Sequence, residues 1–150
     1  MRVWIGPVAA ALTLAAAGPS LAAPTCAPAG AEAARRGWFA AFAHDDYAGG
    51  YALQTPGFFA YDGGKRYDGP ALGETVKAAK ATGVKIVWDL QEMTVREAWD
   101  QAWAAWVNRG SSGKPGAEQP VTWLESAAVE YSGGHWRVAF LHSDRVAPQP

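Results

Sequence analysis

His142 sits near the end of the chain in the run WRVAFLHSD, residues 136–144. Imidazole is the side chain whose ordinary pKa lies nearest neutrality, so a histidine among apolar neighbours is a candidate acid or base. Strand alternation sets His142 on the face of Trp136, Val138 and Phe140 and turns Ser143 away from it. If that face lines a cavity, Asp144, two residues on, could orient the ring. A histidine tied to a backbone group or carboxylate in a core or interface would show the same pattern.

Carboxylates supply the other half of such chemistry. Asp89 lies between Trp88 and Leu90 in a β-rich stretch. A carboxylate there needs a partner or a wet cavity, and in a cavity its pKa would rise toward that of a general base. An edge or interface carboxylate paired with Arg or Lys explains it as well. Asp62 precedes Gly63-Gly64, where turn geometry alone accounts for an aspartate. Glu125 shares the ambiguity of Asp89. The candidate catalytic residues are thus His142, Asp89 and Asp62, with Tyr61 as a hydroxyl donor beside them.

Eight tryptophans in 150 residues form the second group, and much of that surface must be buried or line a pocket. Trp38, Phe42, Phe59, Tyr61, Trp88, Trp103, Trp123 and Phe140 are the candidate ligand-binding residues, an aromatic cup for a flat apolar molecule. An aromatic core and a dimer seam would use the same residues. No glycine-rich phosphate loop, nucleophile elbow or metal-ligand spacing occurs, so neither cofactor nor metal is expected.

The elements that must position these groups are legible from periodicity. Ala34, Trp38, Ala41 and Phe42 share a helical stripe, which predicts a helix from Ala31 to near His44. A short helix or turn and a loop follow. Phe58 to Tyr61 reads as a strand, Asp62-Gly63-Gly64-Lys65 as a hairpin turn and Arg66 to Asp68 as its return. Pro70 and Gly83 bracket a third helix over 71–82. Four strands are then expected, at 84–95, 101–108, 121–131 and 136–146, with a polar loop over 109–120. Trp99, Trp103 and Trp106 also fit helical spacing, so a helix there is the alternative. Helices first and strands later describe an α+β domain, with N-terminal helices packed on a strongly curved antiparallel sheet. The late strands carry apolar residues on both faces, which predicts that the outer face is covered too, most simply by a second copy in a homodimer.

Residues 1–22 read as a signal peptide: Arg2, an uncharged apolar run, and a small-x-small site at Ser20-Leu21-Ala22. Residues 23–30 form a flexible leader carrying Cys26, a free thiol, and 147–150 form a tail. This predicts a periplasmic or secreted bacterial protein, one domain over 31–146, and no membrane span after processing. A net charge of −1 with no basic run argues against a nucleic-acid partner.

The amphipathic first helix with Trp38 and Phe42, the hairpin FFAYDGGKRYDG (58–69) and the closing YSGGHWRVAFLHSDRV (131–146) resemble the nuclear transport factor 2-like superfamily, in particular its SnoaL-like and ketosteroid isomerase-like small domains. The resemblance implies a cone-shaped α+β barrel with a pocket at its open end and a dimer through the outer sheet face. It leaves two expectations. One is an exported domain that binds a small apolar ligand or serves as a dimeric accessory module. The other is a cofactor-free isomerase, dehydratase or cyclase using a His/carboxylate acid–base pair.

Overall fold

The computed structural model describes residues 30–147. The expected signal peptide, the leader up to residue 29 with Cys26, and residues 148–150 lie outside the described residues. Helix α1 (Ala31–Ala43) buries Arg35, Trp38, Phe39 and Phe42 along one stripe. Asp46 opens the short α2 (Tyr47–Ala52) by accepting the Gly49 N–H at 2.9 Å. Strands β1 (Gln54–Asp62) and β2 (Lys65–Asp68) form the expected hairpin, and α3 (Ala71–Ala81) follows Pro70. The remaining strands are β3 (Lys85–Val87), β4 (Leu90–Ala98), β5 (Gln101–Gly113), β6 (Gln119–Ser132) and β7 (His135–Arg145). Among the described residues no helix is long and apolar enough to cross a membrane.

The strands build one curled sheet in the order β2-β1-β7-β6-β5-β3, with β4 also joined to β5. The helices pack into its concave side. The sheet is mixed and not wholly antiparallel as expected, because β7 returns parallel to β1. That pairing joins the two ends of the domain and carries no turn signal.

Three further differences have local causes. The stretch over 84–95 is two strands, broken at Trp88-Asp89. Asn108 Oδ1 accepts the Asp89 N–H at 2.9 Å, and the Arg109 N–H donates to the Asp89 carbonyl at 2.8 Å. The polar loop is short, since β5 and β6 stay paired out to Ser112 and Gln119. Trp99 lies in a tight turn at φ 57° and not on a helix, and β5 then points Trp106 inward and Trp103 outward.

The most consequential difference is on β7. Val138 pairs with Val129, but Phe140 pairs with Ala128, so Ala139 is an inserted residue, a β-bulge. One extra residue reverses the alternation. Trp136 and Val138 point inward before the bulge, Leu141 and Ser143 after it. Phe140 and His142 turn to the outer face.

The core is an aromatic cluster. Trp38 meets Phe42 edge-on at 4.6 Å, and Phe39 meets Trp106 at 5.8 Å. Ala104 and Ala127, buried on the sheet beneath them, leave room for these rings. Each fully buried ring stabilises the fold by roughly 1.5–3 kcal/mol relative to exposure.

Gly110 marks a close approach of two strands. A Cβ there would lie 1.9 Å from the Val87 carbonyl oxygen. Gly110→Ala should therefore lower the unfolding free energy by about 3 kcal/mol in a urea titration. Gly57, with nothing within 4 Å of its would-be Cβ, should accept alanine with a change under about 1 kcal/mol. Equal midpoints for the two variants would show that β3 does not press on β5 as described.

Candidate functional site

The register of four neighbouring strands lays out one polar row on the concave face. Asp62 on β1 is the partner of Ser143 on β7. Ser143 is the partner of Glu125 on β6, and Glu125 of Trp106 on β5. Glu125 is 6% exposed and has three donors. Trp106 Nε1 and Asn108 Nδ2 donate to Oε2 at 2.6 and 3.0 Å, and Ser143 Oγ donates to Oε1 at 2.9 Å. Behind Trp106 the buried Arg35 guanidinium lies 4.1 Å over the indole ring.

Asp62, Ser143, Glu125 and Arg145 form the polar end of a cavity of about 90 Å³. The rest of its wall is apolar, from Trp38, Phe39 and Phe42 on α1, Leu72 and Val76 on α3, and Ile86, Trp88, Trp123 and Leu141 on the sheet side. Arg145 stacks its guanidinium 5.7 Å over Trp123.

Burial sets the electrostatics. It raises the Asp62 pKa, and the charge of Asp144 adds to this, while Ser143 and Arg145 oppose it. Burial likewise raises Glu125, against the hydrogen bonds from Asn108, Ser143 and Trp106 and the charge of Arg35. Arg35 itself is lowered to about 10, first by burial and then by the neighbouring Arg36. Two carboxyl groups with raised pKa values on one cavity wall hold a proton to higher pH than free carboxyl groups do, which marks the wall as a candidate site for proton transfer.

The sequence-based candidates separate sharply. Asp62 lies in the cavity, as do Trp38, Phe42, Trp88 and Trp123. His142 does not. The bulge at Ala139 turns it outward, where it meets Asp144 at 3.1 Å with about half its side chain exposed. Asp89 is exposed at the β3–β4 break, accepts a hydrogen bond from Gln91 and borders a shallow groove with Arg36. The structure therefore does not bring His142 and Asp89 together. Phe59, Tyr61 and Phe140 lie on the outer face, where Phe59 stacks on Phe140 at 4.9 Å and under Arg66 at 4.2 Å. Trp103 is on that face too, 52% exposed. Ser143 and Arg145 were missed because both lie beyond the bulge. Glu125 left a signal, an acid on the same strand face as Trp123, Ala127 and Val129.

Among the described residues no three His, Cys, Asp or Glu side chains cluster as metal ligands. No protein-family model and no curated protein sequence matches the chain. Solved structures do. A ketosteroid isomerase-like protein from Erwinia carotovora atroseptica superposes with a TM-score of 0.64 at 20% identity, over 78% of this chain and 94% of that one. A nuclear transport factor 2-like protein of unknown function from Pseudomonas putida gives 0.62 at 25% identity, over 79% and 84%. The chain has the nuclear transport factor 2-like fold. A candidate dehydratase of the nuclear transport factor 2-like family from Streptomyces avermitilis matches at 0.68 and 15% identity, over 78% and 94%. In the present nuclear transport factor 2-like cone, the helices and the sheet's inner face enclose the row from Asp62 to Trp106.

The raised Glu125 pKa fixes a sign. The folded state binds its proton more tightly than the unfolded chain does. This contribution to stability is complete below the ordinary glutamate pKa and is lost as pH rises through the folded value. Glu125→Gln mimics the protonated acid and keeps the hydrogen-bonding geometry. It should match the parent in Tm at pH 4 and exceed it at pH 7. A parent that gains on the variant over that interval would reverse the assignment.

Proposed function

We propose that this nuclear transport factor 2-like domain binds a small, largely apolar molecule in its cavity and moves a proton on it, as a cofactor-free isomerase or dehydratase. One observation carries the reading. Asp62, its pKa raised by burial, faces a largely apolar cavity beside a hydroxyl, a second carboxyl group and the Arg145 guanidinium. A carboxyl in such a place exchanges protons with carbon or oxygen acids without help from a metal or coenzyme. Two of the matching structures are a ketosteroid isomerase-like protein and a candidate dehydratase, which supports the reaction class. The acid–base pair differs from the one the sequence suggests: Asp62 works with Ser143 and Glu125, and His142 and Asp89 have no part in it.

Size narrows the substrate. Drug-sized ligands occupy roughly 300–1,000 Å³, and a ~150 Å³ cavity holds benzene. A cavity of about 90 Å³ suits a molecule of at most one ring, its far end at the open mouth. Cyclohexanone is a suitable probe, because exchange of its α-protons in D2O is read directly by NMR. The parent protein should accelerate that exchange. Asp62→Asn should reduce it by roughly 10²-fold or more while line broadening of the ketone still reports binding. Binding with no exchange in the parent would leave a ligand carrier, and neither would end the reading.

The outer face bears on the assembly. Phe59, Phe140, Ala128 and Trp103 are successive cross-strand partners, and Leu124 nearby is 54% exposed. Such an apolar stripe across four strands is a candidate interface, and the domain is proposed to cover it with a second copy after export and removal of residues 1–22. Light scattering on residues 23–150 should return twice the chain mass, and Trp103→Glu should return a monomer. A monomeric parent would reject the dimer.

A further inference from the structure

We infer that the cavity takes a small monocarboxylic acid, held by its carboxylate on Arg145 at the mouth with its apolar body inward. This names the substrate class of the site proposed above and rests on that reading for turnover, but binding alone tests it.

Arg145 stands out by what it lacks. Every other arginine among the described residues donates to a protein acceptor, whether a carboxylate, a backbone carbonyl or the Met93 sulfur. Arg145 has neither a hydrogen bond nor an ion pair among the described residues. It is nevertheless held in place. Its backbone pairs with Trp123 across the β6–β7 ladder, and the Val146 N–H continues the pairing by donating to the Thr122 carbonyl at 2.9 Å. Its guanidinium lies 5.7 Å over the Trp123 ring. Strand pairing and the ring thus fix a cation at the cavity wall, beside Asp62, Ser143 and Glu125. A positioned guanidinium with its donors unspent matches a carboxylate, whose two oxygens it meets with two parallel N–H bonds.

The surrounding charges select the kind of anion. Arg145 is the lone cation among the lining residues, and two acids, Asp62 and Glu125, share that wall. Asp144 acts on Asp62 from the strand end, and Arg35 acts on Glu125 from behind Trp106. A dianion such as a phosphate monoester meets two carboxyl groups with a single cation to offset it. A carboxylate carries one charge, which Arg145 balances. Spacing sets the rest. Arg145 follows Ser143 by two residues on the same strand face, roughly 7 Å along β7. Asp62 is the partner of Ser143. A carboxylate on Arg145 therefore leaves Asp62 facing the body of the molecule and not its charged end. A cavity of about 90 Å³ limits that body to one ring at most.

The test compares cyclohexanecarboxylate with its neutral amide on the mature chain at neutral pH. NMR titration follows the indole N–H signals of Trp38 and Trp123, so that the cavity itself is read. The acid should bind roughly tenfold tighter than the amide, and cyclohexyl phosphate no tighter than the amide. Arg145→Gln should abolish the preference for the acid. Arg145→Lys, which keeps the charge without the fork, should hold an intermediate preference. Arg137→Gln removes an equal charge elsewhere on β7 and should leave the preference intact. Equal affinities for acid and amide in the parent would overturn the inference. So would a preference that survives Arg145→Gln, a phosphate ester that outbinds the acid, or no binding of any of the three. Ketone exchange without the carboxylate preference would leave the proton-transfer reading to stand alone. The preference without ketone exchange would support a carboxylate-binding cavity and remove the catalysis.

Discussion

A carboxyl group buried beneath a layer of aromatic rings must find donors or stay protonated, and the cost of leaving it unpaired is several kcal/mol. Glu125 meets this demand with groups from both flanking strands, Trp106 and Asn108 on β5 and Ser143 on β7. A slip of one residue in either pairing would send each of these donors to the opposite face. The same group thus ties the registers of three strands and places Ser143 and Asp62 beside it. Asn108 does double duty, since its side-chain oxygen also holds the break at Asp89 that separates β3 from β4. The wall of the cavity and the frame of the sheet are built from the same hydrogen bonds.

Arg35 belongs to this constraint although it does not touch Glu125. It is 1% exposed, stacked on the ring whose N–H serves the carboxyl, with Nε and Nη1 unpaired among the described residues. A desolvated cation on an indole face is worth roughly 2 kcal/mol, which offsets part of that cost. Its charge reaches Glu125 through space and works against the effect of burial. Helix α1 therefore brings more than a roof of aromatic rings. It carries a positive charge that favours the ionised form of Glu125, adding to the larger effect of the hydrogen bonds from Asn108, Ser143 and Trp106.

Much of the fold was legible because its signals are local. The stripe of Trp38 and Phe42, the Asp62-Gly63-Gly64 turn and the Pro70 start of α3 each rest on a few neighbouring residues, and each element formed where expected. The site was less legible because it depends on parity over distance. The bulge at Ala139 has no residue signature in the run Val138-Ala139-Phe140, since alanine there is equally at home in a regular strand. Beyond it Phe140 and His142 no longer share the face of Trp136 and Val138, as simple alternation has them, and Ser143 takes that face instead. Phe59 and Tyr61 misled for another reason: aromatic side chains suit an outer sheet face as well as an inner one, and composition does not choose. Glu125 shows the opposite case. Its face was readable from Trp123, Ala127 and Val129, but its partners lay on strands whose register no single segment encodes.

The bulge also divides the labour of β7. Before it, Trp136 and Val138 are buried in the core. After it, the strand gives Ser143 to the cavity and hands Phe140 and His142 to the outer surface. Without the inserted residue the same sequence would aim an imidazole and a phenylalanine into the cone and leave Glu125 Oε1 without its hydroxyl. The reaction chemistry then available would be that of a histidine in an aromatic cup. With the bulge the cavity wall holds Asp62 and Glu125, with Ser143 between them in the register and bonded to Glu125. One residue of register thus decides which titratable side chains face the cavity of this cone.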